Sequence, residues 1–180
     1  MEKNCHHFDL FNWSADARPV RVAGFGCCDL VYGEEHFGIR PDVLDNAQAI
    51  IQFEGGAVAT QMDCMCCTGL ATLELGVIGT DGWMVSSTGG KGRLQIFRRG
   101  EEREELEEFD VPGDIRDSGH DGSVYFEHVA FADAICNGSR PVVDVEAGWW
   151  STVVGLAAER AVKERRVVEL GEFVRSQPAM

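Results

Sequence analysis

Residues 45–65 read DNAQAIIQFEGGAVATQMDCM, two apolar runs at 45–53 and 57–65 joined by Glu54-Gly55-Gly56. Glycines at such a junction supply the backbone freedom of a hairpin turn, so the segment predicts a pair of antiparallel strands. The same arrangement recurs downstream. Runs at 71–78 and 83–86 surround GTDG, where Asp81-Gly82 suits a tight turn. A further pair, 92–98 and 104–111, straddles Arg99-Gly100, and upstream PVRVAGFGCC at 19–28 has the β-branched content of another strand.

From Ser123 the period changes. Tyr125, Val129, Ala132 and Cys136 lie on one helical stripe, and Asn137-Gly138 supplies a stop. Pro141 breaks the chain before a second helix at about 146–164, where Trp150, Val153, Val154, Ala157 and Ala161 take the spacing of a face packed onto a sheet. RRVVEL at 165–170 reads as a last short strand, with a loose tail after Gly171. Hairpins followed by helices imply the α+β class: a mainly antiparallel open β-sheet with helices packed on one face, in a single domain spanning residues 1–180.

The 180-residue chain buries roughly 70% of its unfolded surface on folding, enough for a core without staples. No apolar run approaches the roughly 18 residues that span a bilayer, so no membrane is expected as a partner. A formal net charge of −14 repels phosphate backbones, which argues against nucleic acid. Part of that charge is the solvated stretch EEREELEEFD at 101–110. The seven cysteines, Cys5, Cys27, Cys28, Cys64, Cys66, Cys67 and Cys136, accompany no secretory leader, so reduced thiols and a cytoplasmic location are expected. CMCC at 64–67 lacks the paired CxxC spacing of a zinc ribbon and reads as small apolar packing, so no metal is predicted.

The stretch EKNCHHFDLFNW at 2–13 carries the candidate chemistry. Helical spacing puts Glu2, His6, Asp9 and Trp13 on one stripe, with an imidazole between two carboxylates that favour its protonated form and hold one ring tautomer. The alternative is a plain amphipathic helix whose acids cover its polar side while Phe8, Phe11 and Trp13 bury the other. His7, about 100° around the helix from His6, reads as structural. The pair Trp149-Trp150, at the start of a core-facing helix, reads as packing rather than a sugar platform. Neither GFG at 24–26 nor the glycines at 89–92 sit between a strand and a helix, so no dinucleotide loop is predicted.

Taken together, EKNCHHFDLFNW, DNAQAIIQFEGGAVA, LELGVIGTDGWM, FADAICNGSRPVVDVEAG and GLAAERAVKERRVVEL resemble, in order and spacing, the carboxy-terminal domain of the Gfo/Idh/MocA oxidoreductases. The resemblance implies substrate binding and oligomerisation in an NAD- or NADP-dependent sugar or polyol dehydrogenase, whose Rossmann half and catalytic lysine this sequence lacks. Lys3 is not that lysine. An isolated chain is therefore expected to be inactive and to bind no cofactor by itself, and the alternative is a non-catalytic binding or assembly module. The resemblance also implies that His6 exchanges a proton with the reacting carbinol oxygen, with Glu2 orienting the ring where relatives often have Asp. Asp9 matches an acid that supports the histidine at the substrate site, and His120, in SGHDGS, matches a loop that approaches the sugar. It further implies a homodimer or higher homo-oligomer formed through the sheet face.

Overall fold

A computed structural model describes residues 4–28, 43–65, 74–87, 92–101, 105–109 and 112–176. In chain order the elements are α1 (Cys5–Ala15), β1 (Pro19–Cys27), β2 (Asn46–Phe53), β3 (Val58–Cys64), β4 (Glu74–Ile78), β5 (Gly82–Ser87), β6 (Gly92–Arg98), β7 (Glu105–Phe109), α2 (Gly113–Arg116), α3 (Ser123–Asn137), α4 (Val145–Glu164), β8 (Val168–Glu169) and α5 (Leu170–Arg175). The α+β class holds. Among the described residues the strands are antiparallel and divide into two four-stranded sheets, β3-β2-β1-β8 and β4-β5-β6-β7. The chain accordingly divides into two compact units, Met1–Thr68 with Val143–Met180, and Gly69–Val142.

The hairpin at 45–65 forms as its glycines require. Gly55 and Gly56 take positive φ of 79° and 95°, and Phe53 N–H donates to the Ala57 carbonyl at 2.9 Å across the turn. Register places Val22 opposite Ile51 and Ile51 opposite Ala59. Cross-strand partners share a face, so one side of the first sheet carries Val22, Ala49, Ile51 and Phe53, all buried. Val153, Val154, Ala157, Ala158 and Ala161 of α4 join this core, as do Phe8 of α1 and Phe173 of α5. Fully burying side chains such as Ile51 and Phe53 contributes about 1.5–3 kcal/mol each.

Close approach of α4 depends on small residues on both partners. A Cβ at Gly24 would meet the Gln48 carbonyl oxygen at 2.8 Å and Val162 Cγ2 at 3.2 Å. Asp144 starts α4 by accepting a bond from Ala147 N–H at 2.9 Å, and Arg165 ends it in a left-handed conformation. Trp149 and Trp150 pack edge to face with ring centroids 4.7 Å apart, both against the core, which matches the packing role expected for them.

Two expectations for this unit are corrected. Residues 172–175 are helical rather than loose: the last strand is shortened to Val168–Glu169, and α5 follows with Leu170 and Phe173 buried at i, i+3, while 177–180 lie outside the described residues. Arg160 lies over the Phe173 ring at 5.6 Å and covers its outer face. Trp13 does not join Phe8 and Phe11 in the core, since it is 76% exposed. Five residues at about 100° each carry it roughly 140° around α1 from Phe8.

The second unit is a meander. Gly82 has φ 152°, and a Cβ there would lie 1.9 Å from the Phe97 carbonyl oxygen, so the turn at Asp81-Gly82 admits only glycine. Trp83 and Phe97 are cross-strand partners stacked at 6.0 Å. In α3 the stripe of Tyr125, Val129, Ala132 and Cys136 is exposed, and Ala134 is the buried position of the helix instead.

The contact at Gly24 makes a stability prediction. Gly24→Ala overpacks the β1–α4 contact and should lower unfolding free energy by about 1–3 kcal/mol, read as a lower urea midpoint with unchanged slope.

Candidate functional site

The site is built at the start of α1. Asn4 occupies the N-cap position, and its carbonyl accepts from His7 N–H and Phe8 N–H, each at 3.1 Å. An asparagine here commonly caps the helix with its own side chain. In this protein the side chain leaves the helix instead, and Asn4 Nδ2 donates to Asp63 Oδ2 on β3 at 2.9 Å. Two residues earlier on the same face of β3, Gln61 is buried and its Nε2 lies 3.5 Å from His7 Nδ1. A Gln amide N–H aimed at Nδ1 requires the tautomer that carries its proton on Nε2.

His7 is therefore turned toward the sheet. Burial pushes its pKa below the ordinary value of 6.5, an effect opposed by the Asp63 charge and reinforced by His6. The neighbouring His6 is exposed, on the side of the helix that also carries half-buried Asp9 and exposed Trp13. Burial raises the Asp9 carboxyl pKa, and the field of His6 pulls it back down. The first turn thus separates two imidazoles by environment. One is seated on the strand, and the other is open to a ligand beside a carboxylate.

Glu2, predicted to orient His6, lies outside the described residues, as does Lys3. His120 belongs to the second unit, where it is exposed in a run of positive φ that covers Gly119, His120, Asp121 and Gly122. Ser123 Oγ donates to the His120 carbonyl and closes this turn ahead of α3. Asn4, Gln61 and Asp63 escaped the sequence reading. Their signal is the register of β3, which puts two polar side chains on the buried face of a strand.

Among the described residues the glycines of β1 do not form a dinucleotide-binding turn, and Gly89 and Gly90 lie outside those residues. Gly24 and Gly26 lie inside β1, where added Cβ atoms would sit 2.8 and 2.7 Å from the Gln48 and Asn46 carbonyl oxygens. Those glycines serve close strand packing rather than a phosphate-binding turn ahead of a helix. Among the described residues no group of three or more His, Cys, Asp or Glu side chains is placed to hold a metal ion, and Cys66 and Cys67 lie outside them. Among the same residues no helix is long and apolar enough to cross a membrane.

A protein-family profile described as the oxidoreductase family, C-terminal alpha/beta domain, matches residues 1–170. A search of curated proteins returns no significant match. Among solved structures, the chain is similar to aldose-aldose oxidoreductase from Caulobacter crescentus complexed with glycerol (TM-score 0.69, 16% identity, 92% of this chain and 45% of that one). It is similar to UDP-N-acetylglucosamine 3-dehydrogenase from Acidithiobacillus ferrooxidans (TM-score 0.68, 19% identity, 90% and 46%). A third is the WlbA dehydrogenase from Bordetella pertussis in complex with NADH and UDP-GlcNAcA (TM-score 0.53, 13% identity, 99% and 44%). At these identities the likeness establishes the fold, and the chain spans under half the length of each of these proteins.

The lowered His7 pKa gives a pH dependence. Below pH 6.5 the unfolded ring takes up a proton that the folded ring resists, so this contribution to stability is present above 6.5 and is lost as pH falls toward the lower folded value. His7→Gln should flatten the decline of the urea midpoint between about pH 6.5 and 5, relative to the parent chain.

Proposed function

The chain belongs to the Gfo/Idh/MocA oxidoreductase family through its C-terminal domain, and from that membership we propose that it is the substrate-binding and oligomerising portion of an NAD(P)-dependent sugar or polyol oxidoreductase. The observation that carries this reading is the division of labour at the head of α1: His7 faces the strand while His6 stands exposed on the stripe of Asp9. An imidazole with an open ring nitrogen can accept the proton of a carbinol hydroxyl in one direction and return it to a carbonyl oxygen in the other. Asp9 supports the charged ring that this transfer produces. Glu2 is the residue we assign to orienting the ring, and His120 the one we assign to a substrate hydroxyl. Family membership supports NAD or NADP as the redox partner of a complete enzyme, held by residues other than those described. The sugar chemistry in the names of two structural neighbours supports the substrate class.

The oligomerising role rests on the outer face of the first sheet. Phe25 pairs across to Gln48 and Gln48 to Met62, so these side chains share a face, and Phe25 and Met62 are 85% and 74% exposed. Ile50 and Val58 extend the same exposed face. An apolar surface of this kind favours a second copy of the same sheet. A non-catalytic assembly module is the second reading, and the exposed apolar outer face of the first sheet is what favours it.

Isothermal calorimetry with D-glucose and myo-inositol separates the two readings. A retained substrate site predicts binding that His6→Ala abolishes, whereas binding that survives the substitution removes His6 from the site. NAD and NADP titrated into the isolated chain should give no micromolar binding, and such binding would overturn the proposed division between substrate and cofactor halves. Light scattering should report at least a dimer that Phe25→Glu shifts toward monomer, while a strictly monomeric parent would rule out the sheet-face interface.

A further inference from the structure

The contacts beneath α1 do more than attach a helix to a sheet. Asn4 and His7 are three apart on the helix and present the same side to β3, where their partners Asp63 and Gln61 are two apart on one strand face. A rise of about 4.5 Å over three helical residues lies close enough to the roughly 6.8 Å over two strand residues for both pairs to form together. Two points of attachment hold the first turn against fraying, the end of a helix where backbone N–H groups have no intrahelical partner. His6 lies between the two attached residues in sequence and points about 100° away from His7.

We propose that Asp63 is a positioning residue for His6: with Gln61 it clamps Asn4 and His7 onto β3, so that the only direction left to the His6 ring is away from the sheet. This rests on the reading of His6 as the residue that faces substrate and adds the device that aims it. The use of Asn4 supports the assignment. A side chain suited to capping gives up that bond, usually worth about 1 kcal/mol, to reach across to the strand. Phe8, with Phe11 and Ala15 behind it, sets the phase of α1 as a whole, and the two polar pairs hold the first turn, whose backbone N–H groups lack intrahelical partners, in that phase. Asp63 also bears on His7 electrostatically, since its charge favours the protonated ring that burial disfavours.

The test is nuclear magnetic resonance on the full chain, with the His6 ring signals assigned by their loss in His6→Gln. Asp63→Ala should lower the backbone order parameters of Cys5 and His6 from the rigid range near 0.85 to below about 0.6 and shift the His6 ring resonances. Asp63→Asn keeps an oxygen that can accept from Asn4, so order should be retained there, while the His7 titration midpoint should fall because the charge is gone. Asn4→Ala cuts the same bond from the helix side and should reproduce the loss of order, which keeps the inference testable if Asp63→Ala does not fold. Unchanged order parameters and unchanged His6 ring signals in both alanine variants would overturn the clamp. Calorimetry with His6→Ala decides the separate matter of whether His6 contacts sugar, so the two ideas fail by different measurements.

Discussion

Close packing of α4 against β1 is the constraint on which the rest of the first unit depends. Ala157, Ala158 and Ala161 bring the helix backbone near the sheet, and the strand answers with Gly24, where even a methyl group would collide with both the neighbouring strand and Val162. That approach buries Val22, Ile51 and Phe53 together and leaves a flank along which α1 lies. The surface on which the first turn of α1 is held by its polar pairs to β3 therefore depends on a contact made by residues with no chemistry of their own. Only after α4 has fixed the layer spacing can the polar pairs between α1 and β3 meet at bonding distance.

Most of the strand plan was legible because it is written locally. The turns at Gly55-Gly56 and Asp81-Gly82 demand backbone conformations that glycine alone adopts freely, and the runs beside them pair as those turns dictate. The long helix was legible from its periodic alanines and valines. What escaped depends on partners distant in sequence. Nothing near Phe173 says that Arg160 will cover its ring, so the helix at Leu170–Arg175 is not legible from its own residues. Of the two readings of Trp13, on the stripe of His6 or in the core with Phe8 and Phe11, spacing alone does not choose, and the phase set by Phe8 turns it outward. The face that α3 buries is not legible from spacing, since alternative apolar stripes around that helix are nearly equivalent.

The same distinction runs through the candidate site. His6 and Asp9 could be picked out from helical spacing and from the family pattern, because both lie on one short segment. Asp63 and Gln61 could not, because a polar residue on a strand is ordinary until the register shows that it faces inward. Two adjacent histidines thus sit in opposite environments: burial disfavours the charged form of His7, whereas His6 is exposed.

The first unit is assembled from both ends of the described chain, with α1 and β1–β3 early and α4, β8 and α5 late. About eighty residues separate the end of β3 from the start of α4, a synthesis interval on the order of ten seconds at ordinary ribosomal rates. During that interval the β1–β3 meander has no lid over Val22, Ile51 and Phe53. Its local hairpin contacts can form, but the core closes only after the last helix has been made, so the nascent chain carries an uncovered apolar sheet face that chaperones would recognise.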